Sequence, residues 1–371
     1  MREKRGKTSP HFVLLTTSDD DDDDANKTTM TEKEEEDHQS DEGKGLRSIS
    51  VVISCLNESE NISKCIQSTL ALGRKRIGNH IGGVREERVR TKVVVVDGGS
   101  TDDTVLRAKK AVSDVKTKRG DFCTDEEEEV IIVECAERGR AKQFNRGGRV
   151  LLRRGSLEET KEENILVFLH ADTTMPETYR EDIYDALRRE RERRERERRF
   201  PSAWGVIKNG DCAKFARLGR SVGKAESTNE NNRADAPCWG AFPIKLSGER
   251  SKWKKCVVAS FANFRTRRTS IPYGDQAIFV TALAFEEHKF DESKMFMEDY
   301  EYSSRMKKCF GKPAICKSSV VTDSRRFESV GFMSTTMINI LCVVGFHLKV
   351  DVGVLAKFYR NANKRREVDT N

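Results

Sequence analysis

An unbroken run of four valines, Val93–Val96, is followed directly by Asp97, two glycines and a cluster of small polar residues. A β-branched run without polar alternation predicts a strand that is buried on both faces, as in a parallel sheet. Asp97 would then lie at the carboxyl end of that strand. In open α/β sheets, ligands bind in the crevice outside these ends. The pattern therefore predicts a carboxylate presented to a ligand.

The same order of an apolar run and polar residues occurs three more times. Residues 48–56 precede Asn57 and Glu58, residues 129–135 precede a basic segment that contains Arg140, and residues 164–169 precede His170 and Asp172. Strands that alternate with helical segments predict βαβ units, and hence a Rossmann-like α/β fold with a mostly parallel sheet flanked by helices. A purely structural sheet gives no reason for polar strand ends, so we expect a binding site along them.

The second half of the chain has a different pattern. We predict a helix after Pro176, a strand over 237–246 with a bulge at Gly240, and a helix over 252–267. A further helix begins with Glu298 and Asp299. The apolar stretch 332–350 is too polar for a membrane crossing. It predicts a helix that packs on the domain or, alternatively, lies on a membrane surface.

Charge and composition divide the chain into three parts. Residues 1–46 predict a disordered acidic tail, residues 47–330 a single folded domain with insertions near 118–129 and 188–236, and residues 331–371 a C-terminal helical extension. Acidic and basic residues alternate in the Arg/Glu-rich run 188–199, which predicts an exposed helix with ion pairs. The net charge of +7 arises from 68 basic and 61 acidic residues, and this balance does not indicate a nucleic-acid partner.

The ten cysteines are scattered without CxxC spacing, and several lie in apolar strands. This usage is typical of buried reduced thiols, and it argues against a disulfide framework or a zinc site. No signal-peptide pattern is visible. We therefore expect a reducing compartment, either the cytoplasm or an organelle stroma.

Seven motifs in order resemble family 2 glycosyltransferases with the GT-A fold. They are Asn57–Glu58, Asp97–Asp102, Arg138–Asn145, Leu169–Thr173, Gly274–Phe279, Met297–Asp299 and Arg325–Glu328. The closer resemblance is to the branch found beside radical-SAM enzymes and named for arsenosugar biosynthesis. The resemblance implies inverting transfer of a sugar from a nucleotide-diphosphate-sugar, a UDP- or GDP-sugar, to a small-molecule or lipid-linked acceptor.

The resemblance also implies a role for each matching residue. Asp299 would be the catalytic base, with Glu298 beside it, and Asp172 and His170 would hold Mg²⁺ or Mn²⁺. The acceptor would bind Asp275 and Gln276. The residues that would bind the donor are Asn57, Glu58, Asp97, Arg140, Lys142, Asn145, Arg325 and Arg326. The family has an aspartate at the first metal position, where this chain has His170. The Gly-Gly that often precedes the acidic pair is absent.

Two other functions fit parts of the sequence. A sugar nucleotidyltransferase would have a glycine-rich and basic loop after its first strand, whereas residues 57–60 are acidic. A non-catalytic nucleotide-sugar-binding scaffold protein would instead use the acidic tail and the Arg/Glu helix. Loss of turnover without loss of binding in an Asp299→Asn variant would separate chemistry from binding.

Overall fold

The computed structural model describes residues 14–15, 48–70, 90–119, 128–135, 137–153, 164–199, 237–248 and 251–367. The strands are β1 Leu14–Leu15, β2 Ser48–Cys55, β3 Arg90–Asp97, β4 Glu128–Glu134, β5 Asn164–His170, β6 Thr173–Thr174, β7 Trp239–Ala241, β8 Ile244–Leu246, β9 Ile278–Thr281, β10 Ala314–Ile315 and β11 Val320–Thr322.

The helices cover both faces of the sheet. They are α1 Ile62–Leu70, α2 Thr104–Arg119, α3 Arg140–Arg153, α4 Tyr179–Arg199, α5 Lys252–Thr269, α6 Ala282–Glu287, α7 Glu298–Phe310, α8 Arg325–Val330, α9 Phe332–His347 and α10 Val352–Glu367. A short 3₁₀ turn, Gly274–Gln276, lies between α5 and β9.

The main sheet has the strand order β1-β4-β3-β2-β5-β9-β7-β10 among the described residues. Its central strands β4, β3, β2 and β5 are parallel, while β9 is antiparallel to both β5 and β7. In register, Cys55 pairs with Asp97, which pairs with Glu134, and Ser54 pairs with His170. The strand ends therefore meet at one edge, as the polar residues after each apolar run predicted.

The valine run is apolar throughout because both of its faces are covered. Val93 and Val95 pack into one hydrophobic cluster with side chains of α1, α2 and α4. Val94 and Val96 pack into a second cluster with side chains of α3 and α7. All four are at most 1 % exposed. The predicted α/β class, with a mostly parallel sheet flanked by helices, is confirmed.

The predicted bulge at Gly240 is wrong. Residues 237–246 form two short strands in different sheets, because β7 joins the main sheet and β8 joins a small sheet with β6 and β11. Gly240 pairs regularly with Phe279. A Cβ at Gly240 would lie 2.1 Å from the carbonyl oxygen of Ala314 and 2.3 Å from the Phe279 ring. The glycine thus permits a close approach of strands.

The predicted helices after Pro176, at 252–267, from Glu298 and within 332–350 correspond to α4, α5, α7 and α9. No helix in the described ranges is long and apolar enough to cross a membrane. Apart from β1, the predicted tail lies outside the described residues, as does the insertion at 201–236. The division into domains stays a prediction.

Candidate active site

Asp97 closes a tight turn where β3 ends. Its carboxylate accepts hydrogen bonds from the backbone N–H groups of Gly99, at 3.1 Å, and Ser100, at 2.9 Å. Gly99 has a φ of 85°, which glycine adopts without strain. The Asp97 side chain is buried. The carboxylate therefore fixes the shape of the loop at the ligand edge.

Asn57 clamps the neighbouring strand end to this turn. The side-chain oxygen of Asn57 accepts a hydrogen bond of 2.8 Å from the backbone N–H of Thr101. The backbone N–H of Asn57 donates to the Ser100 hydroxyl at 2.9 Å. Asn57 adopts a left-handed φ of 54°, which asparagine tolerates better than most residues. The loops after β2 and β3 thus hold each other in place.

Gln143 of α3 fastens the same two strands, although the sequence analysis did not single it out. Its buried side-chain amide donates to the carbonyl oxygens of Cys55, at 2.8 Å, and Val96, at 3.0 Å. A Cβ at Gly98 would lie 2.8 Å from that amide nitrogen. The sequence feature that could have indicated Gln143 is its position as an uncharged polar residue within the basic motif at the start of α3.

Glu58 and Arg325 form the centre of a charged cluster at this edge. The Arg325 guanidinium lies 2.7 Å from Glu58 Oε2 and 2.7 Å from Asp323 Oδ2. The Asn61 amide donates to the same two carboxylates, each at 3.0 Å. Asp323 was missed by the sequence analysis. It directly follows the apolar strand β11, so the pattern of polar strand ends could have revealed it.

Asp172 lies next to this cluster. Its carbonyl oxygen accepts the backbone N–H of Asp323 at 3.0 Å, and its carboxylate accepts the Thr173 hydroxyl at 3.1 Å. Burial raises the pKa of Asp172, and the negative charge of Glu58 raises it further. A positive charge at this position would relieve that unfavourable environment.

His170 ends β5 with a ring nitrogen that has no partner. Its Nε2 is buried and makes no hydrogen bond, and its ring stacks on Phe144 with centroids 5.9 Å apart. Burial, followed by the positive charge of Arg140, lowers the pKa of His170 to about 3. The imidazole is therefore neutral near pH 7, and it can accept a hydrogen bond or ligate a metal.

Asp299 comes close to His170 through Gly274. The Gly274 N–H donates to Asp299 Oδ2 at 2.7 Å. A Cβ at Gly274 would lie 2.7 Å from His170 Nε2 and 3.2 Å from Asp299 Oδ2. A larger residue at 274 would therefore separate these two groups. Three distant segments of sequence meet at this point.

Glu298 precedes Asp299 and is almost fully buried. Its carboxylate lies 2.7 Å from Nε of Arg140, whose side chain is 45 % exposed. Burial raises the pKa of Glu298, the charge of Arg140 opposes that rise, and the charge of Asp299 adds to it. Arg140 thus joins the start of α3 to the start of α7 beside His170.

Lys142 and Asn145 make other contacts on α3. Lys142 forms an ion pair with Glu137. The buried Asn145 amide donates to the carbonyl oxygen of Phe290 at 2.9 Å and accepts the N–H of Phe290 at 3.0 Å. The contacts of Asn145 join α3 to the loop before α7, whereas the ion pair of Lys142 reaches the segment just before α3. In the described part of the chain, these contacts lie outside the strand-end cluster.

The predicted acceptor residues lie in the 3₁₀ turn beside Gly274. Gln276 is buried, and its side-chain oxygen accepts from the Thr266 hydroxyl at 2.7 Å and the backbone N–H of Tyr273 at 3.1 Å. Gln276 therefore fixes the shape of the turn. Asp275 lies in the same turn, directly after Gly274. Arg326 follows Arg325 in α8, and its side chain lies outside the described part.

The described residues contain no group of three or more His, Cys, Asp or Glu side chains arranged to hold a metal ion. Asp172 offers carboxylate oxygens, and His170 offers a neutral nitrogen without a partner. A divalent cation at Asp172 would need further oxygen ligands from a bound diphosphate and from water. The residues fit a cation that binds together with such a ligand.

A family model describes part of this region. Residues 50–193 match the glycosyl transferase family 2 model, and this segment contains Asn57, Asp97, Arg140, His170 and Asp172. No curated protein matches the sequence.

Several solved structures align with the chain at low identity. TarS 1–349 from S. aureus is 10 % identical, with 84 % of this chain and 69 % of that chain covered and a TM-score of 0.41. Glucosyl-3-phosphoglycerate synthase from Mycobacterium tuberculosis, in complex with Mg²⁺ and UDP, is 15 % identical, with 78 % of each chain covered and a TM-score of 0.37.

The mannosyltransferase PcManGT from Pyrobaculum calidifontis, in complex with GDP-Man and Mn²⁺, is 16 % identical, with 87 % of this chain and 72 % of that chain covered and a TM-score of 0.42.

The family model covers the ends of β2, β3, β4 and β5, whereas Gly274, Glu298, Asp299, Asp323 and Arg325 lie outside it. The mostly parallel sheet flanked by helices is the arrangement predicted from the sequence. The match of residues 50–193 to the glycosyl transferase family 2 model identifies the chain as a glycosyltransferase.

Proposed function

We propose that this glycosyltransferase moves a sugar from a nucleotide-diphosphate-sugar to an acceptor hydroxyl with inversion at the anomeric carbon. The observation that carries the proposal is the meeting of Asp299, Gly274 and His170 at the end of the central strand β5. The acceptor would be a small molecule or a lipid-linked molecule, as the resemblance to the radical-SAM-associated, arsenosugar-type branch implies.

The donor would lie along the ends of β2, β3 and β5. The loops held by Asn57 and Asp97 are preformed, and the glycines let a nucleoside approach the backbone closely. The positive charges of Arg140 and Arg325 both act on the carboxylate of Asp172. Guanidinium groups match the charge and the geometry of phosphate oxygens. A UDP- or GDP-sugar fits this arrangement.

Mg²⁺ or Mn²⁺ would be held by Asp172, with His170 as a second candidate ligand. When bound, such a cation neutralises negative charge on a diphosphate leaving group. The raised pKa of Asp172, caused first by burial, supports a cation there. The carboxylate of Asp172 could ligate either of the two metals.

Asp299 would act as the general base. An acceptor oxygen attacks the anomeric carbon, the bond from that carbon to the diphosphate oxygen breaks, and the proton of the acceptor hydroxyl passes to Asp299. A single base suffices for an inverting transfer. The hydrogen bond from the Gly274 N–H holds one oxygen of the carboxylate in a fixed position, so the carboxylate keeps a defined orientation.

Every described cysteine is a free thiol. Burial raises the pKa of several of these thiols, including Cys55 and Cys65. Buried protonated thiols are stable in a reducing compartment. This usage supports the cytosol or an organelle stroma as the place of action.

The first experiment measures thermal stabilisation of the protein by a panel of UDP- and GDP-sugars with Mn²⁺, with Mg²⁺ and with a chelator. We expect one donor class to raise the melting temperature in the presence of metal, because ligands that bind only the native state stabilise it. Asp172→Asn should abolish that shift. No shift with any donor from well-folded protein would contradict the donor site.

The second experiment compares Asp299→Asn with a control on α4, Asp185→Asn, whose side chain is 40 % exposed. Loss of the base should lower the rate of transfer by about 10²–10⁴-fold while donor binding is retained, and the control should behave as the unmodified protein. NMR of the product gives the anomeric configuration. Equal turnover in Asp299→Asn would refute the base assignment, and donor binding without turnover by the unmodified protein would favour the scaffold.

A further inference from the structure

Helix α5 exposes a stripe of large apolar side chains. Trp253, Val257, Phe261 and Phe264 are 51–69 % exposed, and their spacing places them on one side of the helix. The opposite side packs on the domain through Lys255, Ala259 and Thr266. Exposed apolar residues are common singly, but a contiguous stripe of this kind indicates an interaction surface.

Helix α9 has a second stripe of the same kind. Its exposed members have exposures of 43–86 % and are Met333, Met337, Ile340, Leu341 and Val344. The opposite side of α9 is buried through Thr335, Ile338, Cys342 and Gly345. The helix is therefore apolar on both sides, and its own domain covers only one of them.

The two stripes border the same groove. Trp253, Val257 and Phe261 of α5 and Phe332 and Met333 of α9 line a cavity of about 720 Å³. The apolar surface continues past the end of α9. Leu348, Val350, Val354 and Phe358 are exposed by 39–72 %. Val354 and Phe358 belong to α10. We call the exposed sides of α5, α9 and α10, together with the 348–351 linker, the apolar face.

Positive charges predominate on the apolar face. The exposed basic residues of α5, the linker and the described side chains of α10 are Lys252, Lys254, Arg267, Arg268, Lys349, Lys357 and Arg360. The only acidic residue on these elements, up to residue 362, is Asp351. Its carboxylate accepts the Val354 N–H at 3.1 Å and so caps α10.

We propose that the apolar face binds the surface of an anionic lipid bilayer. Helices that lie in a membrane interface bury their apolar side at the acyl boundary, and their lysines and arginines meet anionic headgroups. The apolar face combines both properties. The protein would lie on the bilayer surface with the apolar face against it.

This surface is larger than the sequence indicated. The apolar stretch 332–350 alone suggested an interfacial helix as one alternative, whereas the structure adds the stripe of α5 and the basic residues around it. The pattern of α5 did not stand out because its exposed aromatic residues resemble the buried positions of an ordinary amphipathic helix. Only the packing shows which side faces outward.

Helix α8 connects the apolar face to the candidate site. Arg325, at its start, pairs with Glu58, while Phe327 lines the groove and stacks on Phe332 with centroids 5.9 Å apart. Membrane binding would therefore bring the Arg325 end of the site near the lipid surface. Binding of the apolar face to a membrane would not require that the protein transfers a sugar.

The test is cosedimentation of the full chain with vesicles of phosphatidylcholine alone or with phosphatidylserine. We expect binding only to the vesicles that contain phosphatidylserine, and weaker binding at high salt. Trp253→Glu with Phe261→Glu should lower the partition coefficient by at least about tenfold, because two apolar anchors are replaced by charges. The control is Leu106→Glu, a residue that is 66 % exposed on α2, and it should bind as the unmodified protein does.

A second measurement reports on the position of the face. In a Trp204→Phe background, we expect the fluorescence of Trp253 to shift to shorter wavelength on phosphatidylserine vesicles, and Trp253→Phe should remove this shift. Lys252→Glu with Lys254→Glu should weaken binding more than the exposed control Lys110→Glu.

Three results would overturn the proposal. They are no binding to either vesicle, equal binding by the Trp253→Glu/Phe261→Glu variant, and self-association of the chain, seen by analytical ultracentrifugation, that this variant abolishes while vesicles fail to bind.

Discussion

The candidate site has two halves that are built in different ways. The donor half consists of the loops after β2 and β3, where Asn57, Asp97 and Asp102 exchange hydrogen bonds with nearby hydroxyl and N–H groups. The reaction half consists of Arg140, Gly274, His170, Glu298 and Asp299. Here buried charges and one unpartnered nitrogen come from distant segments of the chain.

The two halves differ in how they contribute to the stability of the folded protein. The donor half satisfies its polar groups locally, so its loops are rigid before any ligand binds. The reaction half keeps a buried acceptor without a donor, which costs stability. Such costs are common where a site must meet a substrate. We therefore expect the replacement of the unpartnered His170 to stabilise the protein. Replacement of Asn57 or Arg140, which make a hydrogen bond and an ion pair, should destabilise it.

The largest expected change in stability concerns the ion pair of the reaction half. Arg140→Met would leave the Glu298 carboxylate buried without its partner. We expect a loss of about 3 kcal/mol in the free energy of unfolding, at the low end for such pairs because Arg140 is partly exposed. Urea unfolding followed by circular dichroism measures this loss.

A double-mutant cycle serves as the control for this prediction. Adding Glu298→Gln to Arg140→Met removes the unpaired charge, so the double variant should recover at least about 1 kcal/mol relative to Arg140→Met. If the two substitutions have additive effects, the ion pair does not hold the reaction half together.

In the donor half, Asn57 makes a smaller contribution. Asn57→Ala removes the acceptor for the Thr101 N–H and places a Cβ residue without a polar side chain at a φ of 54°. We expect a loss of about 2 kcal/mol, from strain and one hydrogen bond together. Asn57→Gly relieves the strain and should cost about 1 kcal/mol less. If the glycine variant is the less stable one, the left-handed backbone is not what limits this position.

In contrast, His170→Leu should stabilise the protein. The substitution removes the buried Nε2 that has no hydrogen-bond partner while it keeps an apolar side chain against Phe144. We expect a gain of about 1 kcal/mol together with a loss of transferase activity. Denaturant unfolding and a transfer assay on the same sample test both parts. A less stable variant would show that the His170 nitrogen is satisfied in solution.

The smallest effect is a pH dependence in the donor half. A hydrogen bond from the Thr104 side chain lowers the pKa of Asp102 from 3.8 to about 2. Because the native state holds the ionised form, this stabilisation is present above the ordinary pKa and is lost as the pH falls toward about 2.

We therefore expect Asp102→Asn to flatten the decline of stability between about pH 4 and about pH 2. The exposed neighbour Asp103→Asn provides the matched control. Urea midpoints measured across this range decide the result, and parallel curves for Asp102→Asn and the unmodified protein would count against the assignment.

The donor half was largely predictable, because its information is local. An apolar run followed at once by Asp97 or Asn57 indicates both the strand and its ligand edge, since parallel strand ends share one side of a sheet. Asp323 obeys the same rule but was missed, because its strand has only three residues. The bulge at Gly240 was predicted wrongly because a glycine alone does not distinguish a bulge from a close strand contact.

The sequence alone determined the α/β class, the strand ends and the order of the elements, because these depend on the periodicity of apolar residues over short segments. It also identified the residues that resemble family 2 glycosyltransferases. The tertiary structure decided that Arg140 pairs with Glu298, that Gly274 brings His170 and Asp299 together, and that Asn145 and Gln276 make structural contacts. It also decided which side of α5 faces outward. These contacts join residues far apart in sequence, and packing rather than local pattern selects them.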